Sequence, residues 1–273
     1  MISGPDFLAL QKLLAERSGM ALTSDKLYLV ASRLNPVAQK HGFRSVIELM
    51  AALRLNPRDA LVNAVVEAMV THESLFFRDD RPFEHLSRAV LPQLIGARAG
   101  RRPIRIWSAA CSSGQEPYSI AMLVAEQFAG WPWEIVGTDI SQPIVTKASA
   151  GIFSSFEVKR GLSPERIARH FRRIDDQTFI ISDQIRKMVR FETHNLLESA
   201  LRLGQFDIIF CRNVLIYFDT ATKAKVLDLL ARQLAPDGAL FLGSADTVLG
   251  VTSKFVAGQE RGVFRPAPVA KVA

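Results

Sequence analysis

The sequence predicts an α/β chain in two parts, an all-α bundle followed by a mostly parallel sheet with helices on both faces. Three observations carry this expectation. Up to about residue 70, apolar residues recur at helical spacing only. From about residue 100, strand-like apolar runs alternate with helical ones. Between them stands "IWSAACSSGQEPYSIAML" (106–123), a buried strand that breaks into small polar residues and resumes as a helix.

In the first part, "DFLALQKLLAERSG" ends on Gly19, a C-cap residue by type. "TSDKLYLVASRLNPVAQKHG" follows, with Thr23 or Ser24 as its N-cap. Leu27, Val30, Leu34 and Val37 make its apolar stripe, while Lys26, Arg33 and Lys40 recur every seven residues along another face. "SVIELMAALRLN" and "PRDALVNAVVEAMVTHES" complete the bundle. In the second part, "IRIWSAA", "WEIVGTDIS", "VRFETHNLL", "FDIIFCRNVLIYF" and "GALFLGSAD" are strand candidates. "PYSIAMLVAEQFAG", "QPIVTKASAG" and "TATKAKVLDLLARQLAPDG" are helices, and "KFVAGQERGVFRP" is a terminal hairpin. "FRRIDDQTFIISDQIRKMV" (171–189) breaks the alternation and is expected to be a small antiparallel insert. The expected domains are 1–75 and 76–273, with a frayed end at "APVAKVA".

With 273 residues, 48% hydrophobic and 22% charged, the composition is that of a soluble globular protein. No apolar run reaches the roughly 18–20 residues of a membrane span. The amino terminus lacks a signal-peptide pattern, so a cytoplasmic location is expected. Cys111 and Cys211 fit no metal spacing and read as small buried residues. The net charge of +7 favours an acidic partner: nucleic acid, an anionic membrane or an acidic protein.

In an open α/β sheet, ligands bind at the carboxyl ends of the strands where strand order reverses, and the loop 110–116 is placed there. Small residues let the backbone approach a ligand, and a helix opening at Pro117 offers N–H groups and a positive dipole end. Glu116 would repel a pyrophosphate. A zwitterion fits better, its carboxylate meeting the helix and its ammonium meeting Glu116; the methionyl part of S-adenosylmethionine is such a group. Asp139 in "GTDIS" can accept from both ribose hydroxyls, as an acid there also does for NAD, or it caps the next helix. Asn195 in "HNLL" can pair with an adenine edge beside Leu196, or it is an N-cap. Arg212, Asn213 and Tyr217 in "CRNVLIYFD" can reach the cleft, or Tyr217 simply packs.

Together, "THESLFFRDD", "WSAACSSGQEPYSIAM", "GTDIS", "HNLL" and "CRNVLIYFD" resemble the signature set of the chemotaxis receptor glutamate O-methyltransferases, the CheR family, in the family's order and spacing. The resemblance covers nearly the whole chain. It implies a Rossmann-like S-adenosylmethionine-dependent methyltransferase domain with a small antiparallel insert, preceded by an all-α bundle. It implies transfer of a methyl group to glutamates on the cytoplasmic helices of chemoreceptors, leaving S-adenosylhomocysteine and using no metal. By resemblance, cofactor contacts fall on His72, Ser74, Arg78, Glu116, Asp139, Asn195, Leu196, Arg212 and Asn213. Arg78 and Tyr217 match the positions nearest the reacting methyl. Many members have Asn at the place of His72 and Thr at that of Ser74. The insert is shorter than in members that grip a tethering peptide at the receptor C-terminus and lacks their glycine-containing loop, so it resembles the tether-independent group. Lys26, Arg33 and Lys40 then have a use, registering a glutamate-rich receptor helix; the alternative is a solvated face.

Three other functions compete. A nucleic-acid methyltransferase that flips a base needs a polar-Pro-aromatic element after the fourth strand, where this chain has "CRNVLIYF" without proline. A non-catalytic adaptor binding the cofactor would be marked by loss of Arg78 or Tyr217, and both are present. A nicotinamide dehydrogenase is disfavoured by the broken G-x-G-x-x-G. The chain is expected to be a monomer that neither spans a membrane nor binds nucleic acid.

Overall fold

The computed structural model describes residues 2–98 and 102–268. They form two compact units. One holds the residues up to Thr71 together with Tyr217–Thr222; the other holds His72–Ile216 and the described residues from Lys223 onward. The sequence pattern puts the division at 75/76, and nothing in it signals that a segment far along the chain joins the helices. Of the expected frayed end, 269–273 lie outside the described residues.

The helical unit contains α1 (Gly4–Ser18), α2 (Leu27–Lys40), α3 (Val46–Leu55) and α4 (Asp59–Met69). Ser3 caps α1 by accepting from the Asp6 N–H, and Gly19 closes it with φ 77°, as its residue type predicts. The core follows the helical period: Leu10 and Leu14, Val30, Leu34 and Ala38, Leu49 and Leu53, Val62, Val65, Val66 and Met69 are all buried. Leu27 and Val37, expected in the stripe, are half-buried at its edge. A 3₁₀ turn, Ser24–Lys26, delays the start of α2, and Thr23 makes no side-chain cap. The buried Asp6 is neutralised by Arg54 at 2.8 Å.

The second unit begins with α5 (Arg81–His85), a π-helical turn (Leu86–Val90) and α6 (Leu91–Arg98). The order continues β1 (Ile104–Ala109), α7 (Gln115–Gln127), β2 (Trp133–Asp139), α8 (Gln142–Ala150), β3 (Ile152–Ser154), α9 (Ser155–Lys159), α10 (Pro164–His170), β4 (Phe171–Arg173), β5 (Thr178–Ile181), α11 (Asp183–Arg186) and β6 (Val189–Thr193). It ends with β7 (Phe206–Cys211), α12 (Thr220–Gln233) from Lys223 onward, β8 (Leu234–Leu242), β9 (Phe255–Ala257) and β10 (Val263–Pro266). The main sheet has the order β6-β2-β1-β7-β8-β10-β9, parallel from β6 to β8. Its last two strands are the antiparallel hairpin that the sequence predicts. β1 lies between β2 and β7, so strand order reverses there and a crevice opens at the carboxyl ends of these strands.

One face of this sheet packs Ile104, Ile106, Ile208, Phe210 and Phe241 with Val90, Leu94, Ile120 and Val124, and the Phe210 and Phe241 rings stack at 4.4 Å. The small antiparallel sheet, β3-β5-β4, is larger than the expected insert at 171–189. Its first strand comes from residues that directly follow Gly151. Three residues are too few to show a period of two, so no strand is legible there from sequence.

Candidate active site

All six non-glycine residues with positive φ among the described residues lie in two neighbouring places: Phe77, Asp79 and Asp80 before α5, and Ala110, Ser112 and Asn213 in the loops after β1 and β7. Such conformations cost roughly 1–3 kcal/mol each and persist where the surroundings enforce them. Here the enforcing contacts are visible.

In the loop after β1, Cys111 N–H donates to the Thr138 carbonyl at 2.8 Å and Ser112 N–H to Asp139 Oδ2 at 2.8 Å. Ser112 Oγ donates to the His72 carbonyl at 2.8 Å. α7 then opens at Gln115, two residues before the expected Pro117, because Gly114 at φ 93° turns the chain first and no side chain caps the helix. A Cβ on Gly114 would lie 3.1 Å from both Ala148 and Phe191 side chains, so the position has little room for any other residue.

Asp139 ends β2 and is 5% exposed. Ser141 N–H also donates to it, at 3.2 Å to Oδ1, and His72 Nδ1 stands 3.8 Å from the same oxygen. Burial pushes its pKa above the ordinary 3.8, against the opposite pull of His72 and of the backbone N–H donors. The carboxylate is thus anchored by its loop, with lone pairs to spare.

The second cluster centres on Arg212, 6% exposed. Its Nη1 donates to Glu116 Oε2 at 3.0 Å, and its Nη2 donates to the Arg78 carbonyl at 2.8 Å and to Asp79 Oδ2 at 2.7 Å. Glu116 Oε1 accepts from Ser108 Oγ at 2.8 Å. The sequence expectation has Glu116 free to meet an ammonium. In the structure its charge is matched by Arg212, a partner 96 positions away that no spacing rule could supply.

Arg212 also fixes the turn that presents Arg78. Phe77 N–H donates to Ser119 Oγ at 2.9 Å, and the Arg166 guanidinium lies 4.0 Å from the centre of the Phe77 ring. Among the described residues, Arg78 itself makes only a long contact, 3.5 Å, to the Glu73 carbonyl. Neither Asp79 nor Asp80 pairs with it, because Asp79 is taken by Arg212.

After β6, Asn195 Oδ1 accepts from Leu197 N–H at 3.0 Å in an Asx-type turn; no helix starts there, so Asn195 is not the helix N-cap that the sequence leaves open as an alternative. Leu196 is buried, and Ser74 is half-buried. His194 N–H donates to the Asp139 carbonyl at 2.9 Å, tying this loop to the first cluster. The His194 ring is buried against Trp107 with Nε2 unpartnered among the described residues, and burial lowers its pKa. His194, Ser108, Ser112 and Asp79 do not stand out in the sequence, although all four lie inside the quoted motifs.

The structure therefore brings His72, Glu116, Asp139, Arg78 and Arg212 into two joined clusters, with Asn195, Leu196 and Asn213 in the adjoining loops. Tyr217 belongs to the helical unit, where its carbonyl accepts from Ala21 N–H at 2.8 Å, Phe218 bridges Met20, and Lys26 Nζ lies 5.8 Å from its ring centre. Arg33 is not free on its helix face: it donates to the Val70 carbonyl at 3.3 Å, to Thr71 Oγ1 at 3.1 Å and to the Met69 carbonyl. The carbonyls that end α4 attract a cation strongly. Lys40 is exposed.

The chain matches two family models in tandem: the CheR methyltransferase all-alpha domain over residues 5–70, and the CheR methyltransferase SAM binding domain over 72–262. It is 42% identical over 259 residues to a chemotaxis protein methyltransferase of Vibrio anguillarum, covering 93% of each chain. It is 43% identical over 250 residues to chemotaxis protein methyltransferase 1 of Pseudomonas aeruginosa, covering 89% of this chain and 90% of that one.

Proposed function

The chain belongs to the CheR methyltransferase family, and from that premise we infer that it methylates chemoreceptors, converting glutamate side chains on their cytoplasmic helices to methyl esters. The observation that carries the reading is the cleft at the carboxyl ends of β1, β2 and β7, where the anchored buried acid Asp139 ends β2 and Arg212, after β7, holds the strained turn that carries Arg78.

The residues fit S-adenosylmethionine on their own chemistry. Asp139, held by the Ser112 and Ser141 N–H groups, suits a ribose diol. Asn195 and Leu196 suit an adenine edge and face. The loop of small residues ahead of α7, with Glu116, Arg212 and Asn213, suits the charged methionyl end. Glu116 retains lone pairs for an ammonium although Arg212 and Ser108 engage both its oxygens. His72 is tied to the same loop through its carbonyl, and Ser74 follows it two residues on. The bound cofactor supplies an electrophilic sulfonium methyl.

The chain's own work is alignment. A glutamate carboxylate has a pKa of about 4.3, so it is an ionised nucleophile near pH 7 and needs no base. Arg78, lacking an ion-pair partner among the described residues, can fork onto that carboxylate with two hydrogen bonds and hold it in line. Tyr217 is assigned a second contact to substrate. Half-buried Lys26 and exposed Lys40 are assigned to steering the acidic receptor helix.

The small sheet supports action without a tethering peptide. Its β4–β5 connection, 174–177, contains no glycine and is closed by Ile174 N–H to the Thr178 carbonyl and Gln177 N–H to Asp175. Tight binding of a receptor C-terminal peptide to the chain would overturn that part. No helix among the described residues is long and apolar enough to cross a membrane, and we assign action as a monomer in the cytoplasm. Sedimentation of the chain as a dimer would correct the monomer assignment.

The deciding test supplies methyl-labelled S-adenosylmethionine and receptor-bearing membranes, then counts label released as volatile methanol after mild base. Carboxyl esters release it and methylated amines or bases do not. Receptor-dependent counts are expected. Their absence with several receptor types, despite confirmed cofactor binding, would move the acceptor elsewhere.

A further inference from the structure

We propose that Asp246, in the turn after β8, is the positioning residue that sets Asn213 for cofactor binding; this rests on the reading of Asn213 as a cofactor contact. β7 and β8 run parallel, and their register ends at Cys211 opposite Leu242. The next residues, Arg212–Asn213 and Gly243, therefore leave the sheet side by side. Asn213 takes φ 58°, which a non-glycine residue keeps only where neighbours hold it.

Asp246 is that neighbour. Its carboxylate faces the backbone N–H of Asn213, and its Oδ2 accepts from Gly243 N–H at 3.2 Å. Its own N–H donates to the Gly243 carbonyl at 3.0 Å, closing the turn. The three residues meet without slack. A Cβ on Gly243 would lie 2.9 Å from Asn213 N, 2.9 Å from Asp246 Oδ2 and 3.0 Å from Asn213 Nδ2. The remaining oxygen, Oδ1, is buried with no hydrogen-bond partner among the described residues. Burial pushes this carboxyl's pKa up, although Arg212 and Lys223 face it and lower it; Cys211 is the other titratable neighbour. A half-buried acid with one oxygen unsatisfied costs the fold something. Two N–H groups facing it, one from each strand end, give a reason for an acid there.

The test is a double-mutant cycle read as the Kd of S-adenosylhomocysteine by calorimetry, with Asp246→Ala, Asn213→Ala and the double variant. We expect each single change to weaken binding about tenfold, the size of one lost hydrogen bond to a charged or ligand-facing group. The double variant should be no weaker than Asn213→Ala alone, since coupled residues fail to add. Gly243→Ala should reproduce the Asp246→Ala value. A residue that merely closes the β8 turn would leave Kd unchanged or give effects that multiply, and either result overturns the proposal. If Asp246→Ala melts below the assay temperature, Asp246→Asn takes its place in the cycle, where a non-additive loss of affinity again supports the proposal and an unchanged Kd or multiplying effects again overturn it. Failure of the underlying reading looks different: wild-type chain that binds no S-adenosylhomocysteine, or Asn213→Ala with unchanged Kd, removes the site reading and this inference together.

Discussion

At the amino-terminal end of the seven-stranded sheet, the fully buried Asp207 accepts from Arg98 at 3.1 Å, from Arg102 at 2.7 and 3.0 Å and from the Arg105 N–H at 2.9 Å. At the carboxyl-terminal end, the buried Arg212 serves Glu116, Asp79 and the Arg78 carbonyl and still leaves Nε without a partner among the described residues. The acids divide the same way. Hydrogen bonds from Arg105 and Arg98 hold Glu134 and Asp237 below their ordinary pKa, whereas burial holds Asp139 and Asp246 above theirs. Every non-glycine residue with positive φ among the described residues sits at or against the carboxyl end. One end is satisfied and stabilises the fold. The other carries strain and incomplete pairing, which is where a binding site is expected to break local rules.

The largest effect expected of this difference is on stability. Asp207→Asn removes the charge on which the Arg98 and Arg102 side chains and the Arg105 N–H converge. Urea unfolding should show a loss of about 3–5 kcal/mol, the size found when one partner of a buried ion pair is removed. Turnover per folded molecule should be unchanged. A loss below about 1 kcal/mol, the worth of exposed pairs, would show that the network contributes little to the fold.

Arg78→Ala is the mirror experiment. Arg78 contributes one long contact to the fold, so unfolding should shift by no more than about 0.5 kcal/mol. Methyl transfer should fall about a hundredfold, as when one preorganised donor is lost. Near-normal turnover would take Arg78 out of the reaction. A large stability loss would place it with the amino-end arginines.

Much of this is legible in the sequence, and the boundary of legibility is physical. The alternation of strands and helices, the terminal hairpin and the loop after β1 are local patterns, and they appear as predicted. The motifs also place Asp139 and Arg212 at strand ends and Glu116 at the start of the helix after β1. What the motifs could not show is who pairs with whom. The Arg212–Glu116 and Arg212–Asp79 bonds cross 96 and 133 positions, and Asp207 meets Arg98 across 109. Helix α7 begins early because of a left-handed glycine, a backbone fact that the favourable look of Pro117 at N1 concealed. Asp246 stands in no quoted site motif, and its importance arises only where β7 and β8 end side by side.

Acid should separate the two ends. Asp139 has a raised folded-state pKa, so the folded chain binds a proton there more readily than the unfolded chain does, and falling pH relieves its burial cost. The fold loses nothing from this group. The cofactor does, because a protonated carboxyl no longer offers two acceptors to a ribose. Glu134 and Asp237 behave oppositely: their stabilisation is full above the unfolded pKa values of 4.5 and 3.8 and is lost as pH falls through the lowered folded values. Affinity for S-adenosylhomocysteine should therefore decline at a higher pH than the melting temperature does. Coincident decline of the two would mean that binding fails only because the fold does.

The smallest effect carries the same contrast onto one helix. Arg33 has the character of the amino-end network, its guanidinium spent on the Val70 carbonyl and Thr71 Oγ1. Lys40 is exposed, and half-buried Lys26 places its Nζ 5.8 Å from the centre of the Tyr217 ring. Three cations at heptad spacing look equivalent in sequence, yet one of them closes the end of α4 and two are available to a partner. Reversing Lys26 and Lys40 together should raise the KM for receptor by roughly two- to fivefold, the worth of one or two exposed charge contacts. That increase should fade with added salt, since rim charges act mainly on encounter. Arg33→Glu should instead lower the unfolding free energy and do so at any ionic strength. If Arg33→Glu left stability untouched and shifted KM as the lysines do, the basic face would be a single docking surface and the distinction drawn from its hydrogen bonds would fall.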